Sequence, residues 1–146
     1  MKTVLLSAAC LSLMLAAGCS AGAVPDGGAD EGVDVDLTAM SATMVYAEVY
    51  NITVSPADYV GKTIKASGLY YPYYYEETGL IYHNIYIADA AACCQQGIEF
   101  AWQGEHAYPD DYPAEQARIV ISGTFGSYDE LGYTYYHIVT DGITVE

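Results

Sequence analysis

Two glycines interrupt runs that otherwise alternate like β-strands. In residues 59–70, Ile64 and Ala66 fall on one face, Thr63 and Lys65 on the other, and Gly68 sits in mid-run. In residues 117–125 the interruption is Gly123. A glycine inside a strand has no side chain to pack, and it marks a bulge, a sharp bend or the close approach of another backbone. Three further runs alternate with period two: residues 80–88, residues 97–103 with Ile98, Phe100 and Trp102 on one face, and residues 133–140. Turns are expected at Thr78-Gly79 and across 129–132. Five strands, with glycine bends in the first and fourth, predict a mainly β chain closed into a small barrel rather than an open sheet.

Residues 41–54 precede these strands and carry two signals. Val45, Val49 and Ile52 recur at helical spacing behind a capping candidate, Ser41, while the Val, Ile, Thr and Tyr content is that of a strand. The reading taken is a short helix packed against the sheet, broken by Pro56. All sixteen tyrosines lie at or after Tyr46, against two phenylalanines and one tryptophan. Tyrosine suits half-buried barrel walls, because its ring packs while its hydroxyl stays wet.

The chain begins differently. Lys2 and the amino terminus make a short positive region, and residues 4–17 are apolar and uncharged. As a helix these 14 residues reach about 21 Å, short of a hydrocarbon core of roughly 30 Å, so the segment reads as a signal peptide and not a permanent span. It closes on Leu15-Ala16-Ala17-Gly18-Cys19, which resembles the lipobox of bacterial lipoproteins. That resemblance implies cleavage after residue 18, acylation of Cys19, and an extracytoplasmic protein held at the cell membrane. More than one acyl chain makes such an anchor stable, where a single one is marginal. Cys10 falls within the signal and is removed with it. Residues 19–40 are rich in Gly, Ala and acidic side chains, hold no aromatic residue, and are expected to be a flexible tether. Their acidic residues lack the spacing of a calcium loop. The expected division is thus 1–18 signal, 19–40 tether and 41–146 barrel domain.

Removal of Lys2 with the signal takes the formal charge from −15 to −16, and leaves Lys62, Lys65 and Arg118 as the basic residues. Nucleic acid is excluded as a partner, since its binding rests on phosphates neutralised by Lys and Arg. Cations, cationic polymers, neutral glycans and envelope proteins remain.

The run from Pro56 through Tyr59, Gly61, Lys62 and Ile64 to Gly68 resembles the first-strand entry of OB-fold domains in bacterial envelope proteins. Residues 119–123 resemble their fourth strand. Residues 89–100, with Cys93-Cys94, are similar to a vicinal-cysteine signature in uncharacterised lipoproteins of anaerobic Gram-positive bacteria. Together these span residues 44–141 and imply a five-stranded OB-like barrel. One departure is expected: OB-folds carry a helix between strands three and four, whereas residues 105–115, with Pro109 and Pro113, make at most a turn.

Cys93 and Cys94 are the thiols left for chemistry once Cys10 and Cys19 are accounted for. They are candidates for packing, for a strained and redox-labile vicinal disulfide, or for binding a soft ion such as zinc or copper. A closed metal site needs about two more ligands, and His83, His106 and His137 are the candidates, with His83 and His137 placed in strands. A second candidate is an aromatic and acidic platform for a glycan, built from Tyr71, Tyr73, Tyr74, Tyr75, Tyr108 and Tyr112. Rings stack on sugar faces, and OB-folds bind on a sheet face and its neighbouring loops. No nucleophile elbow, P-loop, zinc-protease or dinucleotide motif is present, and the acid pairs Glu76-Glu77 and Asp110-Asp111 read as solvated charge. The sequence therefore predicts a non-enzymatic binding domain, with a thiol-dependent metal or redox protein as the alternative.

Overall fold

Alternation in the first glycine-interrupted run becomes a strand of 13 residues, β2 (Thr63–Tyr75), in which Ile64, Ala66 and Tyr70 face inward and are buried. The computed structural model describes residues 32–88 and 95–146. Around β2 lie β1 (Val35–Asp36), α1 (Ala42–Val54), β3 (Leu80–Ala88), β4 (Gln95–Trp102), β5 (Arg118–Glu130) and β6 (Tyr133–Val145). The sheet runs β1-β2-β3-β4-β6-β5, and β2 also pairs with β5. Strands β2 to β6 thus close a five-stranded barrel of OB-like order, with β1 as an extra strand parallel to β2. All barrel pairs are antiparallel except β4 with β6.

Both mid-strand glycines sit where the barrel turns. At Gly68, β2 passes from β5, its partner over residues 63–69, to β3, its partner over residues 69–75. A Cβ there would meet the Tyr86 carbonyl oxygen at 2.5 Å and the Ile85 side chain at 2.9 Å. Gly123 lies at a register shift in the β5–β6 ladder, against the backbone of Val139. The β5–β6 connection reverses through Leu131 and Gly132 at φ 50° and 85°, as a tight hairpin requires.

Helix α1 packs on β3 and β4 with Val49 and Ile52 buried. Ser41 is its N-cap by backbone position, but its hydroxyl makes no capping bond. Pro56 opens a separate 3-10 turn (Pro56–Tyr59), where its missing N–H is not needed. The interior is filled by Ile64, Ile85, Ile119, Ile121 and Ile138 with Phe100, Phe125 and Tyr70. Between β4 and β5, residues 103–117 form turns and no helix. Gln116 N–H donates to the Tyr70 carbonyl at 2.8 Å and Tyr70 N–H to the Ala117 carbonyl at 2.9 Å, which ties this loop to β2. Among the described residues no helix is long and apolar enough to cross a membrane.

The expected tether is corrected at its C-terminal end. Residues 35–39 belong to the domain: Val35 pairs with Ile64, Leu37 is buried, and a 3-10 turn (Leu37–Ala39) follows β1. Apolar residues alternating with aspartates are enough for a two-residue strand when a partner strand waits. Asp36, itself buried, caps the turn by accepting from Thr38 N–H at 2.9 Å, Thr38 Oγ1 at 2.5 Å and Ala39 N–H at 3.3 Å. Burial opposes its charge, but the Thr38 and Ala39 bonds and nearby Lys65 outweigh it, so its carboxyl lies below the ordinary 3.8. Stabilisation by this carboxylate is therefore complete above pH 3.8 and is lost as pH falls through the lower folded value. Asp36→Asn is expected to cost about 1 kcal/mol at pH 7, and the gap from wild type should close in acid. Urea unfolding at pH 7 and pH 3 checks this, and a gap that widens in acid would refute it.

Candidate functional site

Period two sends one side of every barrel strand outward. On β2 that side carries Tyr71, Tyr73 and Tyr75, and the register sets Tyr73 beside Tyr82 and Tyr71 beside Asn84 of β3. Asn84 pairs with Glu99 of β4, Glu99 with His137 of β6, and Tyr135 of β6 with Tyr128 of β5. The β2–β3 and β5–β6 hairpins flank this face. Between them lies a groove of about 210 Å³ lined by Tyr73, Tyr75, Tyr82, Asn84, Glu99, Tyr128, Glu130 and Tyr135.

Hydrogen bonds hold the groove's polar groups in pairs. The Tyr82 hydroxyl donates to Glu130 at 2.6 Å, and the Tyr128 hydroxyl donates to Glu99, 2.9 and 3.0 Å from its two oxygens. His137 Nδ1 stands 3.7 Å from Glu99, with its ring 4.9 Å from that of Tyr128, and lines an adjoining pocket with Tyr82, Glu99, Tyr128 and Glu130. Burial, then the Glu99 carboxylate, pushes the Tyr128 phenol well above its ordinary 10.0. Tyr82 is raised by burial and by Glu130. Both phenols consequently stay protonated, as fixed donors to carboxylates. Rings meet rings along the rim, with Tyr73 and Tyr75 stacked at 6.2 Å and Tyr128 and Tyr135 at 5.5 Å.

A second aromatic cluster occupies the other side of the wall. Tyr70 Oη and His83 Nδ1 share a hydrogen bond of 2.7 Å, and Tyr112 stacks on His83 with centroids 3.9 Å apart. His106 stacks on Trp102 at 3.6 Å, and Tyr108 closes on His83 and Tyr112 at 5.9 and 6.0 Å. Asp111 accepts from Ala107 N–H at 2.7 Å and shapes the loop that brings these rings in. Burial lowers the His83 pKa below 6.5. Through Tyr112 this cluster packs against the core, from a loop that makes turns and no helix, as its two prolines led one to expect.

The six tyrosines expected to form one platform are divided between these places. Tyr73 and Tyr75 line the groove, while Tyr71 stands edge-on to Tyr86 at 5.1 Å beyond it. Tyr74 falls on the opposite strand face and is 58% exposed. Tyr108, which is exposed, and Tyr112, which packs against the core, belong to the second cluster. His83 and His137 stand in the ladder beside Phe100 and Glu99, adjacent residues that face opposite sides of β4. Cys19, Cys93 and Cys94 lie outside the described residues, as does the signal segment. Ala88 and Gln95, the described residues on either side of the segment that holds that cysteine pair, are five ladder positions from His83 and Phe100, roughly 17 Å at about 3.4 Å per residue. Among the described residues no group of three or more His, Cys, Asp or Glu side chains is placed to hold a metal.

Sequence reasoning missed Tyr82, Asn84, Glu99, Tyr128, Glu130 and Tyr135. Alternation alone turns Tyr82 and Glu99 outward, so a signal existed. What joins them is the strand order, which sets β4 beside β6 and brings the β5–β6 hairpin to the same face. Comparison with protein-family models finds no match for this chain, and comparison with curated proteins finds none.

Proposed function

We propose that this chain is a membrane-anchored envelope lipoprotein whose barrel is a non-enzymatic binding module, seating an envelope glycan or its substituent in the outer-face groove. The observation that carries the reading is the groove's place in the fold. It lies on the β3–β4 face between the first and last hairpins of the barrel, the region that OB-folds use for oligosaccharides and oligonucleotides. Its lining of tyrosines and carboxylates repels a polyanion and suits a glycan. The lipobox-like end at Cys19 supports the anchor.

Tyr73 and Tyr135 are 58% and 36% exposed, so truncating them tests the groove with little risk to the fold. The full chain carrying Tyr73→Ala and Tyr135→Ala should lose at least tenfold in retention of cell-wall polysaccharide by affinity electrophoresis, at about 1–3 kcal/mol for each stacking ring. Unchanged retention would sink the groove as the glycan site. Cys19→Ala is expected to abolish acyl labelling and to release the protein from the membrane fraction. A labelled, membrane-bound variant would overturn the anchor.

A further inference from the structure

Hydrogen-bond arithmetic in the groove constrains what can sit there. The hydroxyls of Tyr82 and Tyr128 are already given to Glu130 and Glu99, which leaves the Asn84 amide and the Tyr73 and Tyr135 hydroxyls as donors from the lining. Those two tyrosines therefore offer rings and not donors to a ligand. The lining adds three more tyrosine rings and contains no Lys, Arg or His among the described residues. Two carboxylates with no Lys or Arg in the lining, and His137 3.7 Å from Glu99 outside it, in a chain of net charge −15, set up a negative potential that rejects anions and draws cations.

We propose that the groove is an aromatic cage for an organic cation, a quaternary ammonium or protonated amine borne by the ligand. This deepens the reading of the groove as the binding site and rests on it. Aromatic faces carry negative charge density and attract cations within about 6 Å, and cages of this composition are how proteins take quaternary ammonium groups. A bare metal ion is a poorer fit, since it wants a full shell of oxygen or nitrogen ligands. Weakly hydrated methylammonium groups instead match a lining of five tyrosine rings and two carboxylates. Size agrees: about 210 Å³ is below the roughly 300–1,000 Å³ of pockets for drug-sized ligands, so the cavity admits a headgroup while the rest of the ligand stays outside.

The test uses the full chain in a polyoxyethylene detergent, titrated by calorimetry with choline and with 3,3-dimethyl-1-butanol, which keeps choline's shape with carbon in place of the charged nitrogen. Amide chemical shifts locate the site. Choline is expected to bind at least tenfold more tightly than the neutral isostere, with shifts concentrated at Tyr73, Tyr82, Glu99 and Tyr128. Glu130→Gln can still accept from Tyr82 and should weaken choline about fivefold, the size of one unit-charge attraction across about 4 Å of water. Equal binding of the two probes, or no shift in the groove from either, overturns the cage. If polysaccharide retention depends on Tyr73 and Tyr135 while choline fails, the cation is wrong and the groove stands. If choline binds there and retention ignores those tyrosines, the cage holds and the glycan reading falls.

Discussion

Gly123→Ala is expected to remove about 3 kcal/mol or more of stability, enough to leave the domain largely unfolded under mild denaturant. A Cβ at this position would run into the carbonyl oxygen of Val139, with the Val139 carbonyl carbon at 2.7 Å and the Thr140 Cα at 2.9 Å. Every one of these atoms is backbone, so no rotamer change relieves the overlap. The facing strand is also pinned. The Thr140 hydroxyl lies 2.8 Å from the carbonyls of both Ser122 and Gly142, and the ladder resumes at once with Thr124 opposite Val139. Relief means separating β5 from β6 at the register shift that lets the barrel close. Gly142→Ala is the matched control, because a Cβ there meets nothing within 4 Å and the backbone is not left-handed. It should change stability by less than about 0.5 kcal/mol. Urea midpoints for the two variants decide the matter, and equal midpoints would rule out the backbone clash.

Tyr70→Ala should cost about 3–5 kcal/mol, because it empties a fully buried ring position that Phe100, His83 and Tyr112 pack around. Tyr70→Phe separates the hydroxyl from the ring. Burial holds His83 neutral, and in its Nε2–H tautomer Nδ1 accepts while the Tyr70 phenol, itself pushed upward by burial, donates. Losing that donor leaves a half-buried acceptor unpaired, at about 1–2 kcal/mol. The pH dependence follows from the sign of the His83 shift. A histidine whose folded value is lowered stabilises the fold fully above its ordinary 6.5, and that stability is lost as pH falls through the lower value. Protonated Nδ1 cannot accept, so the difference between wild type and Tyr70→Phe should shrink below pH 6.5. Stability curves at pH 8 and pH 5 measure it. A difference that grows in acid would show that the Tyr70 hydroxyl is not the donor.

Most of the barrel was legible because it depends on local alternation. Ile64, Ala66, Ile98 and Phe100 face inward as their period requires, and Leu80–Ala88 is bounded as its turn residues predict. The helix at Ala42–Val54 was balanced between two periods, and contact with β3 and β4 resolved it through Val49 and Ile52. Residues 35–39 read as tether because two apolar side chains among acids are too few to register, and their burial needs β2 as a partner. Tyr73 and Tyr112 looked like members of one platform because both lie in tyrosine-proline runs; one lines the outer groove and the other stacks on His83 against the core.

The sequence by itself determined the inward and outward faces of the strands, the two glycine corners and the acidic character of the chain. These are properties of single residues and near neighbours. Only the tertiary structure decided which outward residues meet. Glu99 and Tyr128 are 29 positions apart, and Tyr82 and Glu130 are 48. Closing β2 on β5 and setting β4 beside β6 brings each pair within hydrogen-bond reach. The groove is a product of that closure, because its lining is drawn from all five barrel strands.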